Sequence, residues 1–257
     1  MKFQDQLHRE IELETVPKRI ISLVPSQTEL LVDLGLESSI IGITHFCVHP
    51  ASLRDSKTAV GGTKKVNFRK VRELKPDLIL CNKEENTKEM VEELMTIAPV
   101  HCSDISDLED NAELIRMYGE IFDCEEKASD LNRRIDEKVK DLQQVVENSR
   151  EKKVAYFIWK KPWMIAGKGT FIDKMLQLNK FENICSKARY PEISLEKLKN
   201  KTLDLCLLSS EPFPFEEKHK EIFTGLADEV LIVDGEYFSW YGSRLIKAMD
   251  YFKSLHS

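Results

Sequence analysis

Short apolar runs alternate with segments of helical period along most of the chain. In the first half the apolar runs lie at 19–24, 39–43, 77–81 and 99–102. In the second half they lie at 153–159, 163–166, 203–208 and 229–233, with helical segments near 170–178, 194–200, 216–225 and 243–255. Short apolar runs bounded by turns predict buried strands, and their alternation with helices is typical of parallel α/β layers. The sequence therefore predicts an α/β fold in both halves.

Polar residues and a glycine mark several helix ends. Ser26-Gln27-Thr28-Glu29 and Asn86-Thr87-Lys88-Glu89 both have capping-box spacing. In such a box the first side chain and the later Glu satisfy backbone N–H groups at a helix start. Gly35 lies where the first helix is expected to stop.

A different pattern separates the two halves. Asp123, spaced as an N-cap three residues before Glu126, begins a stretch with one apolar face that runs to about Asn148. Its apolar positions are Ala128, Leu131, Ile135, Val139, Leu142 and Val146. This periodicity predicts one amphipathic helix. At ~1.5 Å per residue it is about 36 Å long, enough to run along two adjacent lobes, although a surface helix confined to one lobe fits the same pattern.

Length and charge narrow the class of protein. The 257 residues favour two lobes of roughly 100 to 120 residues each. With 42% hydrophobic and 32% charged residues, the composition is that of a globular protein. A net charge of -6, with no long run of Lys or Arg, gives no general attraction to nucleic acid or to an anionic membrane. We therefore expect a small-molecule or protein partner and no membrane insertion.

The first ten residues and the cysteines bear on location. Residues 1–10 contain no apolar segment of the length that a secretory signal needs. As written, the chain is expected to stay in the cytoplasm, and a removed export signal would instead place it in the periplasm or at the cell surface. The cysteines show no C-x-x-C spacing, so no disulfide framework is expected.

Three segments carry a resemblance to a known family. "RIISLVPSQTELLVDLGL" (19–36), "VNFRKVRELKPDLIL" (66–80) and "FENI" (181–184) closely resemble the cobalamin-binding and ferric-siderophore-binding proteins of ABC importers, the helical-backbone class. The likeness runs from about residue 18 to residue 255. It implies two Rossmann-like lobes with parallel sheets flanked by helices, joined by one long helix, with a ligand in the cleft between the lobes. The expected divisions are an N-terminal lobe 1–106, a helical connector 107–149 and a C-terminal lobe 150–257.

Two features depart from that family. Its members are exported or lipid-anchored. They also usually carry a Glu, two positions after the Asn that opens the helix before Leu-Lys-Pro-Asp, that pairs with arginines of an ABC permease. Here that place holds Arg69, which would repel the arginine. Glu216 or Glu217 would serve as the matching acid of the second lobe, so docking on a permease and a cytoplasmic role in ligand binding, storage or sensing both stay open.

Ligands of open α/β sheets sit beyond the carboxyl ends of the strands, so the residues there are the candidate ligand contacts. In the first half these are Ser26, Phe46, His49 and Thr63, the last in the glycine-containing loop "GGTKKVNF" (61–68). In the second half the same places hold the rings of Trp159, Trp163, Phe213, Tyr237 and Trp240. Rings stack well on a corrinoid, a porphyrin or an aromatic siderophore, although any one of them could instead cap the core of its own lobe. Arg244 could pair with a ligand carboxylate or phosphate, or form a surface salt bridge.

The segment "THFCVHP" (44–50) raises the question of a metal. If it is extended, His45, Cys47 and His49 share one face, since residues two apart do so in a strand. A closed zinc site wants four ligands, and His101-Cys102 is the other candidate pair. A structural or cleft-lining role, ligation of a metal carried by the ligand, and a protein-bound ion all remain open. For the second, His49 is the candidate axial ligand, because a neutral imidazole suits cobalt or iron held by a macrocycle.

Together these features favour a solute-binding protein that holds a bulky metal-containing ligand, above all a corrinoid such as cobalamin, without catalysis and without an intrinsic cofactor. No G-x-S-x-G, H-E-x-x-H, Walker or G-x-G-x-x-G motif is present. The alternatives are a ferric-siderophore or haem binding protein, and a cytoplasmic enzyme that acts on a tetrapyrrole or metal chelate through Cys47 and His49.

Overall fold

The computed structural model describes residues 1–198 and 202–256, which divide into two compact units. Unit 1 comprises Met1–Ile135 together with Tyr241–Arg244. Unit 2 comprises Asp136–Trp240 together with Leu245–Ser257. The short segment Tyr241–Arg244 therefore belongs to unit 1 although the chain on both sides of it belongs to unit 2.

Unit 1 is built on a parallel sheet. Its strands are β1 (Lys2–Gln4), β2 (Glu10–Glu12), β3 (Ile20–Ser22), β4 (Ile40–Thr44), β5 (Thr58–Gly61), β6 (Leu78–Asn82) and β7 (Val100–Ser103). Its helices are α1 (Pro25–Asp33), α2 (Leu53–Ser56), α3 (Phe68–Leu74), α4 (Lys88–Leu94), α5 (Leu108–Phe122) and the start of α6 (Glu125–Val146). The sheet order is β5-β4-β3-β6-β7, all parallel, while β1 and β2 form a separate antiparallel hairpin.

Unit 2 has a second parallel sheet. Its strands are β8 (Lys152–Trp159), β9 (Met164–Ile165), β10 (Phe181–Asn183), β11 (Leu205–Ser209) and β12 (Glu229–Val233). Its helices are α7 (Phe171–Leu178), α8 (Leu195–Leu198), α9 (Gly235–Ser239) and α10 (Leu245–Ser254). The order β10-β8-β11-β12 is parallel throughout, and β9 pairs antiparallel with β8. The predicted fold class, α/β with parallel sheets flanked by helices, is confirmed.

The predicted long helix is present as α6, and all six of its predicted apolar positions are buried. The division between the units falls after Ile135, inside this helix. Asp123 is not its N-cap, because it adopts a left-handed conformation that ends α5. The predicted connector 107–149 is helical but contains two helices, because α5, with 15 residues, precedes that turn as a separate element. The predicted lobe boundaries at 106 and 149 stay a prediction.

Other helices begin at different residues, or with different capping side chains, from those predicted. The cap of α4 is Thr87, whose side chain accepts from Met90 N, while Asn86 Oδ1 accepts instead from Asn82 N at 2.8 Å. The capping box predicted at Ser26 is also wrong, since α1 begins at Pro25 without a side-chain cap. The helix predicted near 216–225 is a 3₁₀ helix over Glu217–Phe223. Of the helix predicted near 194–200, the last two positions lie outside the described residues.

In the part of the chain that the structure describes, no helix combines the length and the apolar character needed to cross a membrane.

His101, a candidate metal ligand from the sequence, is fully buried in β7. Its ring packs edge-on against Tyr118 with centroids 5.3 Å apart, and neither ring nitrogen has a hydrogen-bond partner among the described residues. Burial lowers the pKa of His101 to about 4, against the carboxylate of Asp5, which raises it, and with a smaller lowering by the charge of Arg9. The imidazole is therefore a neutral part of the core at physiological pH.

We expect the stability of the protein to fall as the pH drops from about 6.5 to about 4, in part because of His101. Over that range an unfolded chain takes up a proton on the imidazole that the native state refuses, so the free energy of unfolding decreases. A His101→Phe variant, which keeps an edge-on ring for Tyr118, should lose this contribution. Denaturant unfolding at pH 7.5, 6, 5 and 4.5 measures it.

Asp5 and Arg9 are present in both proteins, so the difference between the two curves isolates His101. If the free energy of unfolding changes equally with pH in the wild type and in His101→Phe between pH 6.5 and 4.5, the prediction is wrong. The imidazole would then take up a proton in the native state as readily as in the unfolded chain.

Candidate functional site

Ser26–Glu29 form a polar block at the start of α1 that is buried, and its side chains find partners in several parts of unit 1. Gln27 Nε2 donates to Ser103 Oγ at 2.6 Å and to Tyr241 Oη at 2.9 Å, and its Oε1 accepts from Tyr118 Oη at 2.7 Å. Thr28 Oγ1 donates to Ser22 Oγ at 2.8 Å. Buried polar groups need such partners, so this block fixes α1 against the sheet and against Tyr241.

The last member of the block, Glu29, forms a buried ion pair with Arg244. Arg244 Nε lies 2.7 Å from Glu29 Oε2, and its Nη2 lies 3.1 Å from Oε1, an arrangement in which both carboxylate oxygens accept. The two side chains are only 4% and 6% exposed. Arg244 therefore forms a salt bridge, as one of the alternatives held, but a buried one. The guanidinium predicted to pair with a ligand is held by Glu29.

Glycine at 242 makes room for the segment that carries Arg244. Gly242 has a φ of +83°, and a Cβ there would lie 3.3 Å from Leu30 Cβ. Its N–H donates to Asn111 Oδ1 at 2.6 Å. A left-handed conformation beside a helix favours glycine, because it has no Cβ. This contact completes the anchoring of Tyr241–Arg244 in unit 1.

The carboxyl edge of the unit 1 sheet presents an exposed ring beside a glycine loop. Phe46 follows β4 and is 58% exposed. A Cβ on Gly62 would lie 3.1 Å from Phe46 Cε2, so the ring packs directly on that glycine. The Thr63 carbonyl accepts from Asn86 Nδ2 at 2.8 Å, which joins the glycine loop to the loop after β6. The ring is thus supported from one side and open on the other.

A carboxyl that the sequence analysis missed lies in the loop after β6. The N–H of Glu85 donates to Asn82 Oδ1 at 3.1 Å, and its side chain hydrogen bonds with Thr63. Burial raises the pKa of Glu85 above its usual range. Its position in the sequence could have indicated this, because Glu85 comes four residues after the end of a predicted strand, where ligand contacts are expected.

Beyond Thr44, the segment 44–50 is not extended, so the condition under which His45, Cys47 and His49 would share one face is not met. Cys47 N donates to Thr44 O at 3.2 Å, which closes a turn after β4. This turn exposes His45, leaves His49 half-buried and buries Cys47 completely. Across the described ranges, no group of three or more His, Cys, Asp or Glu side chains could hold a metal ion, which removes the expected His45/Cys47/His49 set.

Cys47 is also a poor nucleophile. Its sulfur lies 3.1 Å from Thr28 Oγ1 and 3.3 Å from Thr44 Oγ1. Burial raises the pKa of the thiol. Since the thiolate is the reactive form, this environment favours a structural role.

Aromatic rings form a chain at the carboxyl edge of unit 2. Trp159 ends β8, is 38% exposed, and packs edge-on against Phe213 with centroids 5.8 Å apart. Phe213 contacts Phe215 at 4.8 Å, and Phe215 stacks on Trp163 at 6.2 Å. Trp163 also packs edge-on against the buried Phe223. This row of aromatic rings therefore runs from the exposed Trp159 to the core, and Trp163 lies at its inner end.

The remaining predicted rings are less open. Trp240 is 9% exposed, and its Nε1 donates to Glu211 Oε1 at 3.0 Å. Tyr237 is half-buried and stacks on Tyr251 with centroids 4.9 Å apart. Ser26 is buried and hydrogen bonds with Tyr241. The exposed rings of Phe46 and Trp159 are thus the most accessible of the predicted ligand contacts.

The predicted docking residues are on the surface but paired. Arg69 Nε lies 2.8 Å from Glu73 Oε1, one turn further along α3. Glu216 caps the 3₁₀ helix reciprocally with His219, and its carboxylate pairs with Lys218. Glu217 pairs with Lys220 at 2.9 Å.

Comparison with known proteins identifies the class of protein to which the chain belongs. The family model described as "Periplasmic binding protein" matches residues 20–232. The chain belongs to this family.

Two curated relatives cover much of the chain. An uncharacterized ABC transporter substrate-binding lipoprotein, YvrC of Bacillus subtilis (strain 168), is 29% identical over 184 residues, which span 68% of this chain and 57% of that protein. The chain thus matches little more than half of that lipoprotein's length. The vitamin B12-binding protein of Pectobacterium carotovorum subsp. carotovorum (strain PC1) is 24% identical over 238 residues, which span 91% of this chain and 86% of that protein.

Solved structures agree on the fold. The periplasmic vitamin B12 binding protein BtuF of Vibrio cholerae superposes with a TM-score of 0.82 at 19% identity, covering 94% of this chain and 97% of its own. The periplasmic heme-binding protein RhuT from Roseiflexus sp. RS-1 gives 0.82 at 14%, covering 93% and 97%. The siderophore binding protein BauB gives 0.81 at 18%, covering 100% and 98%. At such identities the likeness shows the fold alone.

Neither the family nor these relatives support the alternative of a cytoplasmic enzyme. The cytoplasmic location expected from residues 1–10 is likewise unsupported, since the relatives are named as periplasmic proteins or as a lipoprotein.

Breaking the Glu29–Arg244 pair should destabilise the protein strongly. Arg244→Met leaves a buried carboxylate without its cation, and we expect a loss of roughly 3–5 kcal/mol in the free energy of unfolding. The double variant Glu29→Leu/Arg244→Met should lose much less, because no charge stays buried. Denaturant unfolding of the wild type, both single variants and the double variant measures the coupling.

Arg69→Met is the matched control, because it removes an exposed salt bridge to Glu73 with a similar distance between nitrogen and oxygen. It should change the free energy of unfolding little. If the double variant loses as much free energy of unfolding as the two single variants together, the two buried side chains are not coupled.

Proposed function

We propose that this chain is a solute-binding protein for cobalamin or another corrinoid, which it binds and releases unchanged. The proposed contacts are the carboxyl edges of the two parallel sheets, where open α/β folds bind ligands. Membership of the periplasmic binding protein family and the relatives named as vitamin B12-binding proteins support a bulky metal-containing ligand.

The main support for the proposal is that an exposed aromatic ring lies at the carboxyl edge of each parallel sheet. Phe46 and Trp159 are the most exposed aromatic side chains of the described residues, at 58% and 38%. One follows β4 of unit 1 and the other ends β8 of unit 2, so each sheet presents a ring at its carboxyl edge. Rings left in water at such edges favour a ligand with a large apolar or planar surface.

Each ring is supported from behind, which prepares it for stacking. Gly62 lies under Phe46, and Phe213 supports the edge of Trp159. A ring that is already held loses little conformational entropy on binding. We infer that Thr63, Phe213, Tyr237 and Trp240 border the bound ligand and that Trp163 contributes from the inner end of the aromatic chain.

His49 is the proposed axial ligand to a metal carried by the bound macrocycle. It is half-buried in the turn after β4, three residues beyond Phe46. An imidazole close to a stacking ring is suited to approach a metal at the centre of a flat ligand.

Delivery to an ABC permease is the proposed use of the bound ligand, and a location outside the cytoplasmic membrane follows from it. The relative named as an ABC transporter substrate-binding lipoprotein supports this step. The acids proposed for docking are Glu216 and Glu217 of unit 2. With Arg69 in the place of an acid on unit 1, the permease is expected to offer that surface an acid rather than an arginine.

Removing either exposed ring should weaken binding of cyanocobalamin. We expect Phe46→Ala and Trp159→Ala each to raise the Kd roughly 10- to 100-fold, because burying a large apolar side chain contributes about 1.5–3 kcal/mol. Isothermal titration calorimetry measures the change, with parallel titrations of haemin and ferric siderophores.

Met95→Ala and Ile222→Ala are matched controls, since these side chains are 52% and 40% exposed and neither directly follows a strand, and they should leave the Kd unchanged. Saturable binding of haemin or a ferric siderophore, with none of a corrinoid, would replace the proposed ligand class.

Coordination by His49 should be visible in the absorption spectrum. When aquocobalamin binds, we expect the visible bands to shift as imidazole replaces the axial water, and the shift should be absent in His49→Ala. His45→Ala, in the same turn but exposed, is the control. A shift that persists in His49→Ala would rule out this ligand.

A further inference from the structure

The side chain of Glu211 is held at the carboxyl edge of unit 2 with only one of its oxygens in use. Glu211 comes two residues after the end of β11. Its Oε1 accepts from Ser239 Oγ and from Trp240 Nε1, both at 3.0 Å. Its Oε2 accepts no hydrogen bond from the described residues and is not among their buried unpartnered atoms. One acceptor therefore stays available at the surface.

The surrounding backbone is shaped to admit this carboxyl. A Cβ on Gly235 would lie 2.6 Å from Glu211 Cγ and 2.3 Å from Ser209 Oγ, so only glycine fits there. Ser209 Oγ donates to the Glu211 carbonyl at 2.6 Å and accepts from Tyr156 Oη at 3.1 Å. The main chain and the side chain of Glu211 are thus fixed at the same time.

The surroundings of Glu211 are unfavourable for an ionised carboxyl, so the two hydrogen bonds from Ser239 and Trp240 do not by themselves account for an acid at this position. Burial raises the pKa of Glu211, and the nearby carboxylates of Glu236 and Asp234 raise it further, against the two hydrogen bonds to Oε1. A neutral amide would accept the same two hydrogen bonds without this cost. A carboxylate held in such surroundings favours a partner that donates hydrogen bonds and disfavours a partner that carries negative charge.

Resting on the corrinoid-binding function above, we propose that Glu211 Oε2 accepts a hydrogen bond from a primary amide on the rim of the ligand, so that the site selects amide-bearing rings over carboxylate-bearing ones. A corrinoid rim carries neutral carboxamides. Haem carries carboxylates, which Glu211, Asp234 and Glu236 would repel. Arg244, predicted from the sequence to pair with a ligand carboxylate, is occupied by Glu29.

Two ligands that share the corrin ring and differ chiefly in the charge of their rim groups test the proposal. Dicyanocobinamide bears carboxamides on its rim, and dicyanocobyrinic acid bears carboxylates on the same ring. For the wild type we expect dicyanocobinamide to bind at least tenfold more tightly. In Glu211→Gln the ratio of the two Kd values, dicyanocobyrinic acid to dicyanocobinamide, should fall at least tenfold, because the carboxylate acceptor and its charge are both lost. Titration calorimetry with both ligands gives the ratio.

One further variant and one stability measurement separate a direct hydrogen bond to Glu211 from a general electrostatic effect and from misfolding. Asp234→Asn keeps the cap of α9 and removes a neighbouring charge, so it should narrow the ratio less than Glu211→Gln does. Glu211→Gln should unfold at or above the wild-type temperature near pH 7, since it removes a carboxyl whose native pKa is raised.

The outcomes are distinguishable. If the wild type binds neither ring, the proposed function and this proposal both fail. If the wild type binds dicyanocobinamide and Glu211→Gln keeps the same ratio, or if Asp234→Asn narrows it equally, the role of Glu211 is overturned while the binding function stands.

Discussion

The buried ion pair between Glu29 and Arg244 joins parts of the sequence 215 residues apart. A charged pair that is 4% and 6% exposed has to be satisfied internally, and here both carboxylate oxygens accept from one guanidinium. This requirement brings Tyr241–Arg244 into unit 1, although Trp240 and Leu245 on either side belong to unit 2. The chain therefore passes between the units inside α6 and again around this short segment. Unit 1 is incomplete until nearly the whole chain has been made.

Parallel strand order decides where the chemistry of each unit is concentrated. All strands of a parallel sheet end at the same edge, so loops that are far apart in sequence meet there. In unit 1 that edge combines the ring of Phe46 with the carboxyl of Glu85. In unit 2 it combines Trp159 with Glu211. Each edge thus presents both an exposed aromatic ring and a partly buried acid.

The fold by itself does not choose the ligand. Proteins named for vitamin B12, haem and siderophore binding superpose on this chain almost equally well, at 14–19% identity. A scaffold that serves such different chelates leaves the choice to side chains at the rim. Whether those side chains offer a positive charge or a hydrogen-bond acceptor is therefore the property in which such proteins are expected to differ. Here Arg244 is withdrawn into an ion pair, while Glu211 keeps an acceptor at the surface.

The sequence by itself determined what depends on neighbours along the chain. Short apolar runs predicted every strand of the two larger sheets except β5 and β10, and the single apolar face of α6 predicted six buried residues. Placement of Phe46 and Trp159 after strands marked them as candidate contacts. Tertiary structure decided the rest, because the partners are remote. The block Ser26–Glu29 has the spacing of a local cap, yet its side chains are satisfied by residues as distant as Tyr241 and Arg244. His45, Cys47 and His49 lie two apart, yet a turn sends them in different directions. Spacing records which residues can share a face, and only packing decides which of them do.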